Sequence, residues 1–202
     1  MEDITVEDLN RPEVRNWLES LTQFKTSYFD YQNNDELDIL FNAAINATSV
    51  EIQAFSPVNI HIYMNERVTE VYLDVTDGSD CDLNILLQNK KGLVRAEIST
   101  LHIYNYKDIE PFLNNNSSSL KHLYLDIYGL EHSDYIKLID RIQLMNCHYE
   151  LNMYYNEDEK DKVKELVRNY NASFEWSNGG YVGIIATVSG PQPKFLTLHV
   201  IK

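Results

Sequence analysis

Residues 120–129, LKHLYLDIYG, carry the pattern on which the fold depends. Leucine and isoleucine stand at alternate positions, Leu123, Leu125 and Ile127, and Tyr124 and Asp126 lie between them. Successive side chains of a β-strand point to opposite faces of the sheet. The order therefore predicts a strand with one apolar face and one face of tyrosine and acid, in a sheet that is covered on one side only.

The same alternation recurs along the chain, and helical periodicity occupies much of the sequence between the alternating segments. Strands are predicted at 28–31, 50–55, 59–64, 68–75, 101–106, 123–128, 150–155 and 174–176. Helices are predicted at 12–24, 35–47, 81–89, 107–115, 133–146 and 157–170. Pro12 suits the first turn of the first helix, and Ser133 suits the N-cap of the helix at 133–146.

The predicted strands are regularly spaced. Their centres, from Phe29 to Phe174, lie 21 to 30 residues apart, and helical segments fall in most of the intervals. This period is typical of leucine-rich-repeat-like arrays, in which right-handed crossovers place the strands parallel and the helices on one face. The sequence predicts a single α/β domain over residues 1–202, a degenerate helix–strand solenoid across about 12–177 with a mainly parallel sheet.

The C-terminal residues follow a different pattern. A strand, the turn Asn178-Gly179-Gly180, a second strand, a proline-containing loop and a third strand succeed one another. We expect an antiparallel hairpin cap over about 173–202, because the last repeat of a solenoid must protect its own edge.

The chain is strongly acidic, with a net charge of −14 and a pI of about 4.7. Such a surface repels nucleic acid and anionic membranes and favours a basic protein partner. The two cysteines, Cys81 and Cys147, are predicted to be free thiols. The acidic N-terminal sequence lacks the pattern of a signal peptide, so we expect a cytoplasmic or nuclear protein.

The polar face of the predicted sheet is the candidate binding surface. Tyrosine offers a large, rigid contact area and is enriched at protein interfaces. The predicted partner-binding residues are Glu70, Tyr72, Asp74, His102, Tyr104, His122, Tyr124, Asp126, Glu150 and Tyr154. An alternative is that the tyrosines form cross-strand pairs that only stabilise the sheet.

Catalysis is the alternative function. His102 and His122 occupy equivalent places on neighbouring predicted strands, and Glu150 or Cys147 would supply a third metal ligand. Carboxylates on the same face, such as Asp74 and Asp126, suit acid–base chemistry in a hydrolytic enzyme. A closed pocket or a metal site would favour this alternative, whereas an open sheet favours binding. The spacing matches no standard metal or nucleophile motif, so the sequence predicts no catalytic residue, metal or cofactor.

Two stretches resemble a known family. They are DIEPFLNNNSSSLKHLYLDI (108–127) and the ending NASFEWSNGGYVGIIATV followed by KFLTLHV (171–188 and 194–200). Both are similar to the substrate-recognition regions of nematode F-box proteins, in particular the F-box-associated type 2 domain, across roughly residues 80–202. The resemblance implies a recognition role in the ubiquitin pathway. The predicted helix at 12–24 does not provide a three-helix F-box, so adaptor recruitment is not implied. An antidote or inhibitor that neutralises a basic protein is another form of the same hypothesis.

Overall fold

The computed structural model describes residues 5–27, 34–54, 66–75 and 89–170, and the backbone of strands at 175–176, 182–183, 186–187 and 194–201. The described helices are α1 (Pro12–Ser20), α2 (Asn34–Ala43), α3 (Tyr106–Asn116), α4 (His132–Gln143) and α5 (Lys160–Asn169), with 3-10 turns at Val6–Asn10 and Glu157–Glu159. The strands are β1 (Gln23–Ser27), β2 (Ser49–Ala54), β3 (Glu70–Val75), β4 (Arg95–His102), β5 (His122–Tyr128), β6 (His148–Asn156), β7 (Glu175–Trp176), β8 (Val182–Gly183), β9 (Ala186–Thr187) and β10 (Lys194–Ile201).

The main sheet has eight strands in the order β1-β2-β3-β4-β5-β6-β10-β9. Strands β1 to β6 and β10 run parallel, and β9 is antiparallel to β10. Strands β7 and β8 form a separate antiparallel pair. The prediction of an α/β fold with a mainly parallel sheet is therefore confirmed.

Strand β10 differs from the predicted antiparallel cap, because it extends the parallel sheet beside β6 with Leu196 opposite Leu151. The alternating residues of β10 suit a strand in either direction. The segment that separates it from β6 exceeds the dozen or so residues that a parallel crossover requires.

One face of the sheet forms the core. The inward residues of β2 to β6 are buried, and they include Val50, Ile52, Val71, Leu73, Ala96, Ile98, Leu123, Leu125, Ile127, Leu151 and Met153. Helices contribute buried residues to the same cluster, among them Phe41, Ile109, Phe112, Leu138, Ile139 and Val163. The apolar half of the alternating pattern thus lies where the sequence predicts it.

A recurring backbone contact joins the strand entries. The carbonyl before each of β1 to β4 accepts hydrogen bonds from two consecutive N–H groups at the start of the next strand. The carbonyl of Thr22 accepts from Thr48 and Ser49, and that of Thr48 accepts from Thr69 and Glu70. The carbonyl of Thr69 accepts from Val94 and Arg95, and that of Val94 accepts from Lys121 and His122. This contact fixes the register of adjacent strands and therefore the alignment of their side chains across the sheet.

A buried amide at the end of α3 fastens the turn that leads into β4. Asn116 is fully buried, and its Nδ2 donates to the carbonyls of Lys90 and Phe112 at 2.8 and 2.9 Å. Its Oδ1 accepts from the N–H of Leu93 at 2.9 Å. The amide thus satisfies backbone groups that would otherwise be buried without hydrogen bonds.

Three predicted boundaries are wrong. Helix α1 ends at Ser20 and β1 begins at Gln23, inside the predicted helix at 12–24. Strand β4 covers Arg95–His102 and not 101–106, because Asn105 caps α3 by accepting from the N–H of Lys107. The N-cap of α4 is Glu131 rather than Ser133, and its side chain makes no capping bond.

The predicted strands at 28–31 and 59–64, most of the predicted helix at 81–89, and Cys81 lie outside the described residues. Cys147 is buried and forms no disulfide. None of the helices in the described segments combines the length and the apolar character that crossing a bilayer requires.

Candidate functional site

The side chains of β1 to β6 that point away from the core form what we call the open face. The strand register aligns them in rows that cross the strands. The central row contains Lys25, Glu51, Tyr72, Glu97, Tyr124 and Glu150, in order from β1 to β6. The row at the strand entries contains Gln23, Ser49, Glu70, Arg95, His122 and His148. Beyond the centre the register aligns Gln53, Asp74 and Ser99 on β2 to β4, and it pairs Asp126 with Asn152 on β5 and β6, on the other side of an irregularity in β4. Apart from Ser49, these residues are half-buried or exposed, in contrast to the buried inward face.

The structure brings most of the predicted partner-binding residues together on the open face. They are Glu70, Tyr72 and Asp74 on β3, His122, Tyr124 and Asp126 on β5, and Glu150 and Tyr154 on β6. His102 is the last residue of β4, where the register pairs it with Tyr128.

Tyr104 does not belong to these rows. It follows β4 in the connection to α3 and is 77% exposed. Its ring lies beside Gly129, where an added Cβ would come within 3.4 Å of it and where the positive φ of 88° suits glycine. A strand at 101–106 would have placed Tyr104 on the face, so its displacement follows from the early end of β4.

Arg95 connects two residues of the central row. Its Nε and Nη2 donate to Glu97 Oε1 at 2.8 and 2.5 Å, and its guanidinium carbon lies 5.2 Å from the centre of the Tyr72 ring. The hydrogen bonds that Arg95 donates to Glu97 are the largest cause of the raised pKa of Arg95. The open face thus holds a guanidinium group between an aromatic ring and a carboxylate. Both contacts suit this group, because it is planar, positively charged and able to stack on a ring while donating to a carboxylate.

The histidine pair differs from the predicted one. The register places His122 beside His148, with their ring centres 5.6 Å apart, and not beside His102. His148 Nε2 lies 3.4 Å from Glu150 Oε1. Within the described residues, no group of three or more histidine, cysteine or acidic side chains is placed to hold a metal ion.

Two of the face tyrosines make contacts that also stabilise the sheet. The rings of Tyr128 and Tyr154 are stacked, with centres 3.9 Å apart and planes at 15°. Burial is the largest cause of the raised pKa of Tyr154, followed by its hydrogen bond with Tyr128. The alternative of structural cross-strand pairs therefore applies to this corner of the face.

Tyr124 is held differently, because its hydroxyl accepts a hydrogen bond from Asn152 Nδ2 at 2.9 Å. Burial is the main cause of its raised pKa, and the charge of Asp126 adds to it. Beside its ring lies a groove of about 320 Å³, lined by Arg95, Glu97, His122, Leu123, Tyr124, His148 and Glu150. A second, shallower groove of about 180 Å³ lies beside Tyr72.

The prediction from sequence did not include Arg95, Glu97 and His148 in the site, although all three lie near its centre. A signal for them was present: Ala96 and Ile98 alternate with Arg95 and Glu97, as Tyr149 and Leu151 alternate with His148 and Glu150. For Arg95 and Glu97 the choice of a strand at 101–106 hid this signal, because that segment overlaps β4 and the two cannot both be the strand.

Comparison of the chain with protein-family models, with curated proteins and with solved structures finds no match.

Proposed function

We propose that this chain is a non-catalytic protein-interaction domain that binds a protein partner through the open face. The observation that carries the proposal is the central row, in which tyrosine and glutamate alternate over β2 to β6 on the side opposite the core. Aromatic side chains held on the strands of a sheet can serve as the anchors of a protein interface.

The charge of the face supports a basic partner. Its carboxylates are Glu51, Glu70, Asp74, Glu97, Asp126 and Glu150, and the permanent cations among the same rows are Lys25 and Arg95. Lys25 pairs with Glu51 at 2.5 Å and Arg95 pairs with Glu97, which leaves an excess of acid. Complementary charge accelerates association and excludes acidic proteins.

The repeated contact at the strand entries supports a leucine-rich-repeat-like solenoid. The accepting carbonyls of Thr22, Thr48, Thr69 and Val94 lie 21 to 26 residues apart, close to the period of such arrays. In this proposal the antiparallel strands β7, β8 and β9 belong to a C-terminal cap.

The resemblance to F-box-associated regions gives the proposal two biological forms. One is a substrate receptor of a ubiquitin ligase, and the other is an antidote or inhibitor of a basic protein. Both act in the cytoplasm or nucleus, and both require an accessible recognition face. Purification of the native protein with its partners, followed by mass spectrometry, separates them by whether a ligase adaptor is recovered.

The hydrolytic alternative would use His148 and Glu150, whose 3.4 Å contact resembles a base with its orienting carboxylate. It is supported less well, because the groove is open and catalysis of this kind is favoured by a site that excludes water.

The test replaces Tyr72 and Tyr124 with alanine together. Interface tyrosines are worth roughly 2 kcal/mol each when truncated at a hot spot, whereas a cross-strand pair of side chains contributes about 0.2–1 kcal/mol to folding. Affinity for the purified partner should fall by at least about tenfold with little change in melting temperature. Tyr104→Ala is the matched control, because Tyr104 is exposed but lies outside the rows, and it should bind normally. Normal binding by the double variant would contradict the proposal.

A further inference from the structure

The centre of the open face contains the same unit twice. Strand β3 reads EVYLDV and β5 reads HLYLDI, while β4 begins RAEIS and β6 begins HYELN. Tyr72 lies opposite Glu97 in the first pair of strands, and Tyr124 lies opposite Glu150 in the second. A shift of two strands therefore superimposes tyrosine on tyrosine and glutamate on glutamate.

In the first unit the chain supplies its own ligand. The Arg95 guanidinium lies over Tyr72 and donates twice to Glu97. An arginine side chain is thus already accommodated by a tyrosine and a glutamate at this spacing.

In the second unit the equivalent of Arg95 is His148. Its side chain is shorter and lies beside His122 and Glu150. Within the part of the chain that the structure describes, the guanidinium groups found over aromatic rings are those over Phe41 and Tyr72, and none is found over Tyr124. The 320 Å³ groove occupies this place, with Glu97 on one side of Tyr124 and Glu150 on the other. The hydrogen bond from Asn152 holds the Tyr124 hydroxyl and thereby orients the ring before any ligand arrives.

We propose that this groove receives an arginine side chain of the protein partner, with its guanidinium over the Tyr124 ring and its N–H groups directed to Glu97 and Glu150. The proposal rests on the proposed function of the open face and specifies the chemistry of the partner. Arginine is preferred to lysine because its planar group stacks on a ring and donates in a fork to a carboxylate. The positive charge of Arg95, which also lines the groove, is balanced by its pairing with Glu97.

The test uses Nα-acetyl-arginine N-methylamide as the probe and follows its binding by NMR titration. We expect saturable binding with a stoichiometry of one and shifts at Tyr124, His148 and Glu150. The lysine analogue should bind about fivefold or more weakly, and Glu150→Gln and Tyr124→Leu should each weaken the arginine probe by a similar factor.

Two exchanges between the units make the test specific. His148→Arg places a guanidinium where Arg95 stands in the first unit, so it should fill the groove and abolish probe binding. Arg95→His removes the internal ligand from Tyr72, so it should raise the stoichiometry from one to two. Circular dichroism verifies that each variant is folded. If His148→Arg is misfolded, Tyr124→Leu and Arg95→His decide the question.

Equal binding of the arginine and lysine probes, or undiminished binding by His148→Arg or Tyr124→Leu, would overturn the proposal. The same variants separate it from the proposed function. If His148→Arg binds the partner normally while Tyr72→Ala with Tyr124→Ala does not, the open face is the interface and the arginine subsite is wrong. If both bind the partner normally, the proposed function fails even where the probe binds.

Discussion

At the scale of the residue, Asn116 shows how one polar side chain can be essential to a core. It is fully buried and serves three backbone groups, the carbonyls of Lys90 and Phe112 and the N–H of Leu93. A leucine fits the same volume but pairs with none of them, and each buried group left without a partner costs about 1–3 kcal/mol.

We expect Asn116→Leu to lower the free energy of unfolding by about 2–5 kcal/mol, measured by urea denaturation. Asn114→Leu makes the same chemical change on the same helix at an exposed position and should alter stability by no more than about 0.5 kcal/mol. Similar effects of the two substitutions would show that the buried hydrogen bonds contribute little.

At the scale of the element, one carboxylate joins the starts of α3 and α4. Asp134, in the first turn of α4, accepts the N–H of Tyr106 at 2.9 Å, and Lys137 donates to its other oxygen at 2.6 Å. The hydrogen bond from Lys137 is the largest cause of the lowered pKa of Asp134, and that from Tyr106 is the next. A carboxyl group with a lowered pKa stabilises the fold above its unfolded value of 3.8, and this contribution is lost as the pH falls through the folded pKa.

Asp134→Ala should therefore cost about 1–2 kcal/mol near neutral pH. The difference from the wild type should shrink once the pH falls below 3.8, as measured by urea unfolding across the acid range. Asp134→Asn retains an oxygen for Tyr106 and should lose less. A difference between Asp134→Ala and the wild type that is independent of pH would exclude the carboxylate as its source.

The boundaries of β4 show why some elements escaped the prediction. Ala96, Ile98 and Ile103 are buried, and a bulge between Ile98 and Leu101 adds a residue, so the parity of the buried positions reverses along the segment. No single period-two pattern therefore spans the strand, and LHIYNY alone gives a better match. In β5, where Leu123, Leu125 and Ile127 alternate without interruption, the sequence predicts both the strand and its faces.

At the scale of the whole molecule, the net charge of −14 has two opposite consequences. Repulsion between like charges destabilises the compact state, whereas attraction to a basic partner accelerates association. Raising the ionic strength from about 20 to about 200 mM shortens the screening length severalfold. It therefore weakens both the repulsion within the protein and the attraction to the partner.

We expect this increase in salt to raise the melting temperature of the free protein and to slow association with the partner, measured by calorimetry and by stopped-flow fluorescence. Asp74→Asn with Asp126→Asn should reduce the salt dependence of association, because both acids lie on the open face. Unaltered salt dependence in that variant would place the attracting charge elsewhere.

The position of β10 also matters while the chain is being synthesised. Strand β10 pairs with β6, and the end of β6 at Asn156 precedes the end of β10 at Ile201 by 45 residues. At a translation rate of about 5–20 residues per second, the ribosome needs about 2–9 s to make that stretch. During this interval the backbone donors and acceptors of β6 on that side lack their final neighbour, and such edges pair readily with other chains. The growing sheet therefore keeps an unpaired edge at β6 until β10 has been made.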